Sequence, residues 1–278
     1  MQELRLQHPT ARLLKAAALP RSTFYYQQLA LAAPCKYEAV RSSIKEIFHG
    51  HKGRYGYRRV TGALKNQGQH LNQKTVQRLM AELDLKSLVR PKKYKSYKGE
   101  VGRTAPNRLK RRFKAKRPNQ KWVTDVTEFK VADRKLYLSP VLDLYNGEIV
   151  AWEVAERPVF DMVKSMLQGA FAKLMNHEMP MLHSDQGWQY QMPAYQRMLK
   201  ERRLAQSMSR KGNCHDNAAM ESFFGVLKSE FFYQNKFKSI EELKKGLAEY
   251  IHYYNYDRIK MKLGGLSPVQ YRTRRSRA

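Results

Sequence analysis

Three acidic residues lie in or beside apolar segments, where burial of a charged carboxylate costs free energy. Asp125 lies inside the apolar run "WVTDVTEF", Asp185 follows the strand-like run "MPMLHS", and Glu221 borders the apolar stripe of the helix-like segment "DNAAMESFFGVLKSEFF". A buried carboxylate needs a cation or hydrogen-bond donors as partners. Carboxylates are also ligands that Mg²⁺ prefers, and Mg²⁺ keeps water and substrate phosphate in its remaining coordination positions. The three residues therefore form a candidate metal site.

Three carboxylates on two strands and one helix could hold two such ions. Two ions about 3.5–4 Å apart clamp the attacking and leaving oxygens of an in-line phosphoryl displacement. The chain has 24 Asp and Glu residues, however, so other triples are open. Asp143 in "VLDLY" is a rival ligand, and Asp216 is interpreted as the N-cap of the helix that carries Glu221.

The composition indicates a polyanionic partner. The chain has 278 residues, 53 of them Lys or Arg, and a formal net charge of +29, which makes a nucleic acid the first candidate. A membrane surface is the competitor, but the sequence has no long apolar run and no signal-type N-terminus, so a soluble cytosolic protein is expected. Cys35 and Cys214 lie far apart and outside zinc-ligand spacing, which predicts two reduced thiols.

Residues 1–34 and 35–88 are predicted to form two small all-α units of the helix-turn-helix type. In the first, "ARLLKAAALPRSTFYYQQL" has two helical runs separated by Pro20. In the second, "KYEAVRSSIKEIFHGH" has apolar residues at helical spacing, and another helix begins at about Asn72. An ordinary helical hairpin is the alternative for each pair, but two pairs beside this charge indicate DNA contact.

Residues 89–120 are predicted to be a basic linker that clamps nucleic acid. Fourteen Lys or Arg residues and one Glu lie between Arg90 and Lys121. Each phosphate contact would contribute about −0.9 to the slope of log affinity against log salt concentration. A solvated spacer is the alternative. The candidate DNA contacts in this segment are Lys92, Lys93, Arg111 and Arg112.

The rest of the chain is predicted to be an α/β domain. Three strand-like runs, "WVTDVTEFK", "KLYLSPVLDL" and "EIVAWEVA", are joined by short polar turns, which favours an antiparallel meander. Alternating helices and strands follow, and together they predict a mixed sheet with helices packed on it. The further elements expected are a helix at 159–174, the strand "MPMLHS", a helix at 194–200, the strand "LAQSMS", and long helices from about Asp216 and Ile240. We assign residues 121–235 to the core and 236–278 to a C-terminal helix with a basic tail.

The spacing of the acids adds a resemblance to a known family. Asp125 and Asp185 have 59 residues between them, and Asp185 and Glu221 have 35. This pattern, with the words "PNQKWVTDVTEF", "LHSDQGWQY", "SMSRKGNCHDNAAMESFFGVLKSE" and "YIHYYNYDRIKMKLGGLSPVQY", resembles the frame-B (OrfB-type) transposases of two-frame bacterial insertion sequences, whose core is similar to that of retroviral integrases. The helices of "YGYRRVTGALK" and "NQKTVQRLM" also resemble the family, so the likeness covers nearly the whole chain.

The resemblance implies both a fold and an activity. The fold would be an integrase catalytic core of the α/β class, a ribonuclease H-like mixed sheet with flanking helices, preceded by small all-α helix-turn-helix domains. Asp125, Asp185 and Glu221 would be catalytic and would bind Mg²⁺ or Mn²⁺. The activity would be metal-dependent cleavage at the 3′ end of the element and strand transfer into target DNA.

The resemblance also suggests DNA contacts beside the acids. Lys228 would contact a phosphate of the transposon end, and Arg210 and Lys211 lie in the loop "SRKGNC", where they could hold the strand. His183 and Gln186 flank the second acid and would position it or touch DNA. A hydrogen-bonded structural histidine is the alternative reading of His183.

The expected partners follow from the family. They are double-stranded DNA at the transposon ends and the target, and a second copy of the chain, because two ends must be held together. The family's full transposase is usually a frame-A and frame-B fusion, in which frame A brings a further helix-turn-helix and a heptad-repeat helix. This chain starts at Met1 without either, so weak activity without frame A is expected. A DNA-binding regulatory subunit and a ribonuclease H-like nuclease are the alternatives, and the expected location is the bacterial cytoplasm, at the nucleoid.

Overall fold

The computed structural model describes residues 7–32, 37–89, 104–210 and 214–275. Within these ranges the chain forms eleven α-helices and a six-stranded sheet. The helices are α1 (Thr10–Ala16), α2 (Arg21–Ala32), α3 (Glu38–Gly50), α4 (Tyr57–Asn66), α5 (Gln73–Glu82), α6 (Phe160–Phe171), α7 (Trp188–Gln191), α8 (Pro193–Glu201), α9 (Ala218–Glu230), α10 (Ile240–Tyr256) and α11 (Pro268–Arg275). The strands are β1 (Lys121–Thr124), β2 (Thr127–Val131), β3 (Arg134–Asp143), β4 (Ile149–Ala155), β5 (Met181–Ser184) and β6 (Gln206–Met208).

The chain divides into two compact units, residues 1–47 and 48–278. The first unit contains α1 and α2, which meet at the predicted break around Pro20. The second contains α4, α5, the whole sheet and the C-terminal helices. In the described part of the chain, no helix is long and apolar enough to cross a membrane.

The helices α4 and α5 form the pair that the sequence predicts in the second helical segment. Val60 and Val76 are fully buried in them. The side chain of Asn72 accepts the backbone N–H of Lys74 at 2.9 Å and so caps α5. The predicted start of this helix is therefore confirmed.

The first predicted strand is broken into β1 and β2 at Asp125 and Val126. Both halves pair antiparallel with β3, and β4 pairs along the other edge of β3. The antiparallel meander is thus confirmed, but the prediction of one continuous first strand was wrong. The side chain of Asp125 accepts the N–H of Val126 at 2.8 Å, and such a local bond competes with the ladder for the backbone donor.

The other side of the sheet is parallel. β1 pairs with β5, and β5 pairs with β6, both in parallel. Parallel neighbours need a crossover connection, which α6 supplies before β5 and α7 and α8 supply before β6. The predicted mixed sheet is therefore confirmed.

The sheet separates two apolar cores. Successive side chains of a strand point to opposite faces, so Trp122 belongs to the core shared with α6 and α8, and Val123 to the core shared with α9 and α10. Leu109, from the predicted basic linker, is fully buried in the second core. The described end of that segment, residues 104–120, therefore packs on the domain, because apolar residues interrupt its basic ones.

Candidate functional site

Asp125 and Asp185 follow the ends of two adjacent parallel strands. β1 and β5 each end one residue earlier, and their register pairs Val123 with His183. Continuing that register by two residues brings Asp125 level with Asp185, on strands that lie about 4.8 Å apart. The two acids, 60 positions apart in the sequence numbering, are therefore neighbours at the carboxyl edge of the sheet.

The two carboxyl groups affect each other's ionisation. Burial raises the pKa of Asp125 well above its ordinary range, and the negative charge of Asp185 raises it further. Burial also raises the pKa of Asp185, whose Oδ1 accepts the N–H of Gly187 at 2.8 Å. Two like charges in a poorly solvated place repel each other, and a bound cation would relieve that repulsion.

The third acid, Glu221, is carried by α9. A 3₁₀ turn, Cys214–Asn217, precedes the helix, and α9 packs against β1. Asn217 donates from Nδ2 to the carbonyl of Thr124 at 3.3 Å, which fixes the start of α9 beside the first acid. Glu221 is half-buried, and its charge adds to the rise in the pKa of Asp125, after burial and Asp185. The three acids thus share one electrostatic environment.

Lys228 lies seven residues beyond Glu221, on the same face of α9. Its Nζ is 5.3 Å from the centre of the Phe129 ring, within the range of a cation–π contact. Its charge lowers the pKa of Asp125, against the larger effects of burial and Asp185. A cation therefore stands beside the acids, and its contact with DNA phosphate stays a prediction.

The donor set suits a divalent cation by charge and ligand type. Within the described ranges, no group of three or more His, Cys, Asp and Glu side chains lies close enough to hold one ion. The oxygens available are nevertheless the hard ligands that Mg²⁺ and Mn²⁺ accept, and the charge of Asp185 raises the pKa of Asp125, an effect that a bound cation would oppose. Beside them, Oδ1 of Asn217 is buried without a hydrogen-bond partner among the residues that the structure describes. The residues therefore fit the metal that the sequence predicts.

His183 is fully buried below the second acid. Its Nδ1 lies 2.8 Å from Oγ of Ser207, and its Nε2 lies 3.2 Å from Oγ of Ser209. Burial lowers its pKa to about 4, so the ring is neutral near pH 7. This environment favours the structural alternative for His183. Gln186 is half-buried and donates to the carbonyl of Ser209 at 3.0 Å.

Asp143, the rival ligand, has structural partners. Its carboxylate accepts the N–H groups of Asn119 and Tyr145 at 2.9 and 3.0 Å, and Arg272 binds it at 2.7 Å. It pairs with Trp122, three residues before Asp125 along the chain. Burial raises its pKa, and these donors compensate its charge, so Asp143 is a structural acid rather than a metal ligand.

The interpretation of Asp216 as an N-cap was wrong. Asn217 occupies the N-cap position of α9 and makes no side-chain cap bond. The carboxylate of Asp216 instead accepts hydrogen bonds from Asn107, Arg111 and Arg210. Two of these partners lie more than 100 residues away in the sequence, so only the folded chain reveals them.

The remaining candidate DNA contacts differ in environment. The side chains of Arg111 and Arg210 are 48% and 59% exposed, and both are ion-paired with Asp216. Arg112 is exposed as well. Four further predicted positions lie outside the described residues: Lys92, Lys93, Lys211 and Cys35. The side chain of Cys214 lies outside them as well.

Family models match most of the second unit. A model described as an HTH-like domain matches residues 36–93. Two models described as an integrase core domain match residues 115–214 and 221–275. The matched integrase segments contain all three acids of the candidate site.

Relatives match over nearly the whole chain. A protein of Escherichia coli K12, described as transposase InsK of insertion sequence element IS150, is 59% identical over 272 residues, covering 98% of this chain and 96% of the relative. A transposase of element IS1353 from Shigella flexneri is 41% identical, with 97% of this chain covering 53% of that protein. Among solved structures, the catalytic core domain of HTLV-2 integrase in complex with magnesium is 16% identical, with a TM-score of 0.46, covering 56% of this chain and 98% of that one.

Proposed function

Because the chain belongs to the transposases of insertion sequences, we propose that Asp125, Asp185 and Glu221 are the acids with which it cuts and joins DNA. The family is one of polynucleotidyl transferases with an integrase core. The observation that carries the proposal is the register of β1 and β5, which brings Asp125 level with Asp185. The helix α9, which carries Glu221, packs on β1.

Two successive displacements would take place in one site. In the first, the oxygen of a water molecule attacks a phosphorus at the element's end, the bond from that phosphorus to the 3′ oxygen breaks, and a 3′-hydroxyl is released. In the second, this hydroxyl attacks a phosphorus of the target strand and displaces the target's own 3′ oxygen. Only the nucleophile differs, so the chain needs no Ser or Tyr that bonds covalently to DNA.

The acids would hold divalent metal, which the integrase class generally requires. When bound, Mg²⁺ or Mn²⁺, two ions per site in our proposal, would supply Lewis-acid stabilisation of the charge that develops on the phosphoryl group. Asp125 and Asp185 would be the paired ligands, because burial and the charge of Asp185 raise the pKa of Asp125, and a bound cation would oppose that rise. Glu221 is the third ligand, supplied by α9.

The basic side chains around the acids would hold the DNA backbone. Lys228 contacts a phosphate of the transposon end in this proposal. The other proposed contacts are Lys92, Lys93, Arg111, Arg112, Arg210, Lys211, Gln186 and His183, of which His183 has the least support because it is buried and hydrogen-bonded. Since its substrate is chromosomal DNA, the protein would act in the cytoplasm, at the nucleoid.

The assembly is also part of the proposal. Two transposon ends must be joined to one target, which favours a homo-oligomer on double-stranded DNA. The IS1353 relative extends well beyond the part that this chain matches, since the chain covers 53% of it. We therefore propose the frame-A protein, or a fusion with it, as a further partner in recognising the element's ends.

The test is cleavage and joining of a labelled duplex that bears an end of the insertion sequence. The chain is compared with Glu221→Gln and with the matched control Glu201→Gln, an exposed acid at the end of α8. DNA binding is measured for all three by fluorescence anisotropy. We expect Mg²⁺-dependent cleavage and joining, weak in the absence of frame A, by the wild type and the control, and loss of both by Glu221→Gln with binding retained.

Two other outcomes would change the proposal. If the wild type binds the end and does not cut it, the frame-A fusion is assayed in the same way, and silence of the fusion would favour a regulatory subunit. Cleavage without joining would instead favour a ribonuclease H-like nuclease.

A further inference from the structure

The buried carboxylate of Asp216 holds two arginines from different parts of the chain. Arg210 donates from Nε to Oδ2 at 2.9 Å and from a terminal nitrogen to Oδ1 at 3.1 Å. Arg111 donates from Nε to Oδ1 at 2.9 Å, and Asn107 donates to Oδ2 at 2.9 Å. The bonds from Arg210 are the main reason that the pKa of Asp216 lies well below its usual range. The carboxylate is therefore charged at any pH at which the protein would work.

The two guanidinium groups still face solvent. The side chains of Arg111 and Arg210 are 48% and 59% exposed, whereas that of Asp216 is not exposed at all. Asp216 carries one negative charge and is bonded to two guanidinium groups, so it does not neutralise both of them, and a phosphodiester carries the negative charge that such a pair would attract. Guanidinium groups also present planar N–H donors that fit phosphate oxygens. Without the carboxylate between them, the two cations would repel each other.

The segment that carries Arg111 is fixed in place before any ligand binds. Oγ of Ser207 accepts the N–H groups of Arg108 and Leu109 at 2.9 and 3.1 Å. The side chain of Leu109 is buried in the core. A binding group that is already ordered loses less conformational entropy when its ligand arrives.

Arg210 and Asp216 each neighbour a residue that is hydrogen-bonded to the end of a strand that precedes a candidate acid. Arg210 follows Ser209, whose N–H donates at 2.9 Å to the carbonyl of Ser184, the residue before the second acid. The residue after Asp216 donates at 3.3 Å to the carbonyl of Thr124, the residue before the first acid. The backbone beside Arg210 and beside Asp216 is thus tied to the ends of β5 and β1, the strands that Asp185 and Asp125 follow.

We propose that Asp216 is a positioning residue, which holds Arg111 and Arg210 as a binding site for one backbone phosphate of the DNA strand in the active site. The phosphate is not the one that reacts but a neighbour of it, and the site reads no base. The inference rests on the proposed function, since that function brings the strand to the acids.

The experiment replaces single phosphates with uncharged methylphosphonates. Duplex ends are prepared with one such group at successive positions near the cleavage point, and affinity and cleavage rate are measured for the wild type, Arg210→Gln and Asp216→Asn. We expect one position at which the wild type loses affinity about tenfold, because a charge-assisted contact is lost. At that position both variants should be insensitive, because they have already lost the contact. Their salt slopes should be smaller by about 0.9.

Two control variants separate this effect from damage to the fold. Asp143→Asn removes a second fully buried acid that is paired with an arginine, Arg272. Arg134→Gln removes an arginine that is 58% exposed and paired with Glu156. Both variants should lose affinity at the same methylphosphonate position as the wild type. Arg210→Gln changes an exposed side chain, so it still tests the phosphate site if Asp216→Asn is poorly folded.

Each result decides the proposal. If Asp216→Asn keeps the wild-type sensitivity while Arg210→Gln loses it, Asp216 does not position the pair. If both variants keep the wild-type profile, the phosphate site itself is refuted. If neither the wild type nor its frame-A fusion cuts the end that it binds, the proposed function is contradicted, and the affinity profile alone then supports or overturns the phosphate site.

Discussion

Arg258 holds Glu230 with two hydrogen bonds, from Nε to Oε2 and from a terminal nitrogen to Oε1, both 2.7 Å long. Both residues are buried. Burial, the largest single effect, acts to raise the pKa of Glu230, but the hydrogen bonds and charges of Arg258 and Arg59 together outweigh it, and the pKa is lowered. Arg59 of α4 binds the same carboxylate at 3.0 Å, and Tyr250 of α10 donates to it at 3.1 Å. Glu230 ends α9, so one carboxylate joins the helix of the third acid to α4 and α10.

Replacing Glu230 with Gln should therefore destabilise the whole second unit. The change leaves buried arginine without its counter-charge, which typically costs about 3–5 kcal/mol. Urea denaturation followed by circular dichroism measures the free energy of unfolding. The matched control is Glu156→Gln, whose partners Arg134 and Lys244 are exposed or partly exposed, and it should cost less than about 1 kcal/mol. Equal losses in the two variants would refute this account of the cluster.

The hydrogen bonds around His183 fix its tautomer. Oγ of Ser207 already accepts two backbone N–H groups, so its own hydrogen is available for Nδ1 of His183. The ring hydrogen must then be on Nε2, which faces Ser209. Long-range ¹H–¹⁵N spectra should show the Nε2–H tautomer at pH 7 and no protonation until the pH approaches 4. The Ser207→Ala variant should lose this preference, whereas an Nδ1–H ring in the wild type would contradict the bonding scheme.

The amine of Lys260 should make the free energy of unfolding depend on pH. Its Nζ donates to the carbonyl of Gly147 at 3.0 Å and to the hydroxyl of Tyr254 at 2.8 Å. Burial, with the charges of Arg258 and Arg59, lowers its pKa from 10.5 to about 7. Between these values the unfolded chain binds more protons than the folded one, so stability should rise with pH across that window.

The measurement is the melting temperature from pH 6 to 9.5 for the wild type and Lys260→Met. The wild type should gain stability relative to the variant as the pH rises, because its buried amine becomes neutral. Lys262→Met, which changes an exposed lysine, should follow the wild type. Parallel curves for the wild type and Lys260→Met would show that the amine does not titrate in this range.

Asp125→Asn should separate stability from metal binding. Burial and Asp185 both raise the pKa of Asp125, so an uncharged amide there should leave the metal-free melting temperature unchanged or higher. A ligand that binds only the folded chain raises its melting temperature. Thermal unfolding with increasing Mg²⁺ or Mn²⁺ should show that rise in the wild type and in Glu201→Gln, and not in Asp125→Asn. The same rise in all three would exclude Asp125 as a ligand.

Local sequence patterns predicted much of the core. Apolar periodicity and turn residues are short-range signals, so the meander, the helices α6, α8, α9 and α10 after it and the start of α5 near Asn72 were found correctly, whereas the short helices α7 and α11 were not predicted. The break at Asp125 was not predicted, because it depends on whether one side chain or the ladder takes the N–H of Val126. The resemblance to the family came from the spacing of the three acids together with the sequence motifs around them, and composition alone would not have indicated it.

The acid–arginine clusters could not be predicted from local patterns. Arg59 and Glu230 are 171 residues apart in the chain, and Arg111 and Asp216 are 105 apart. Such pairs depend on which helices and loops meet after folding, and in a chain with 53 Lys and Arg any acid has many possible partners. Asp216 consequently resembled an ordinary helix cap, and nothing in the sequence around Glu230 indicated its role.

The central claim, that the acids bind the catalytic metal directly, is tested most directly by Asp185→Cys. Thiolate is a soft ligand that suits Mg²⁺ poorly and softer divalent ions better. Strand joining on the labelled transposon end is measured with Mg²⁺ and with Mn²⁺ for the wild type and the variant, in the fusion form if that is the active one. We expect the variant to lose joining with Mg²⁺ and to recover part of it with Mn²⁺. Joining by Asp185→Cys at the wild-type rate with Mg²⁺ would contradict it.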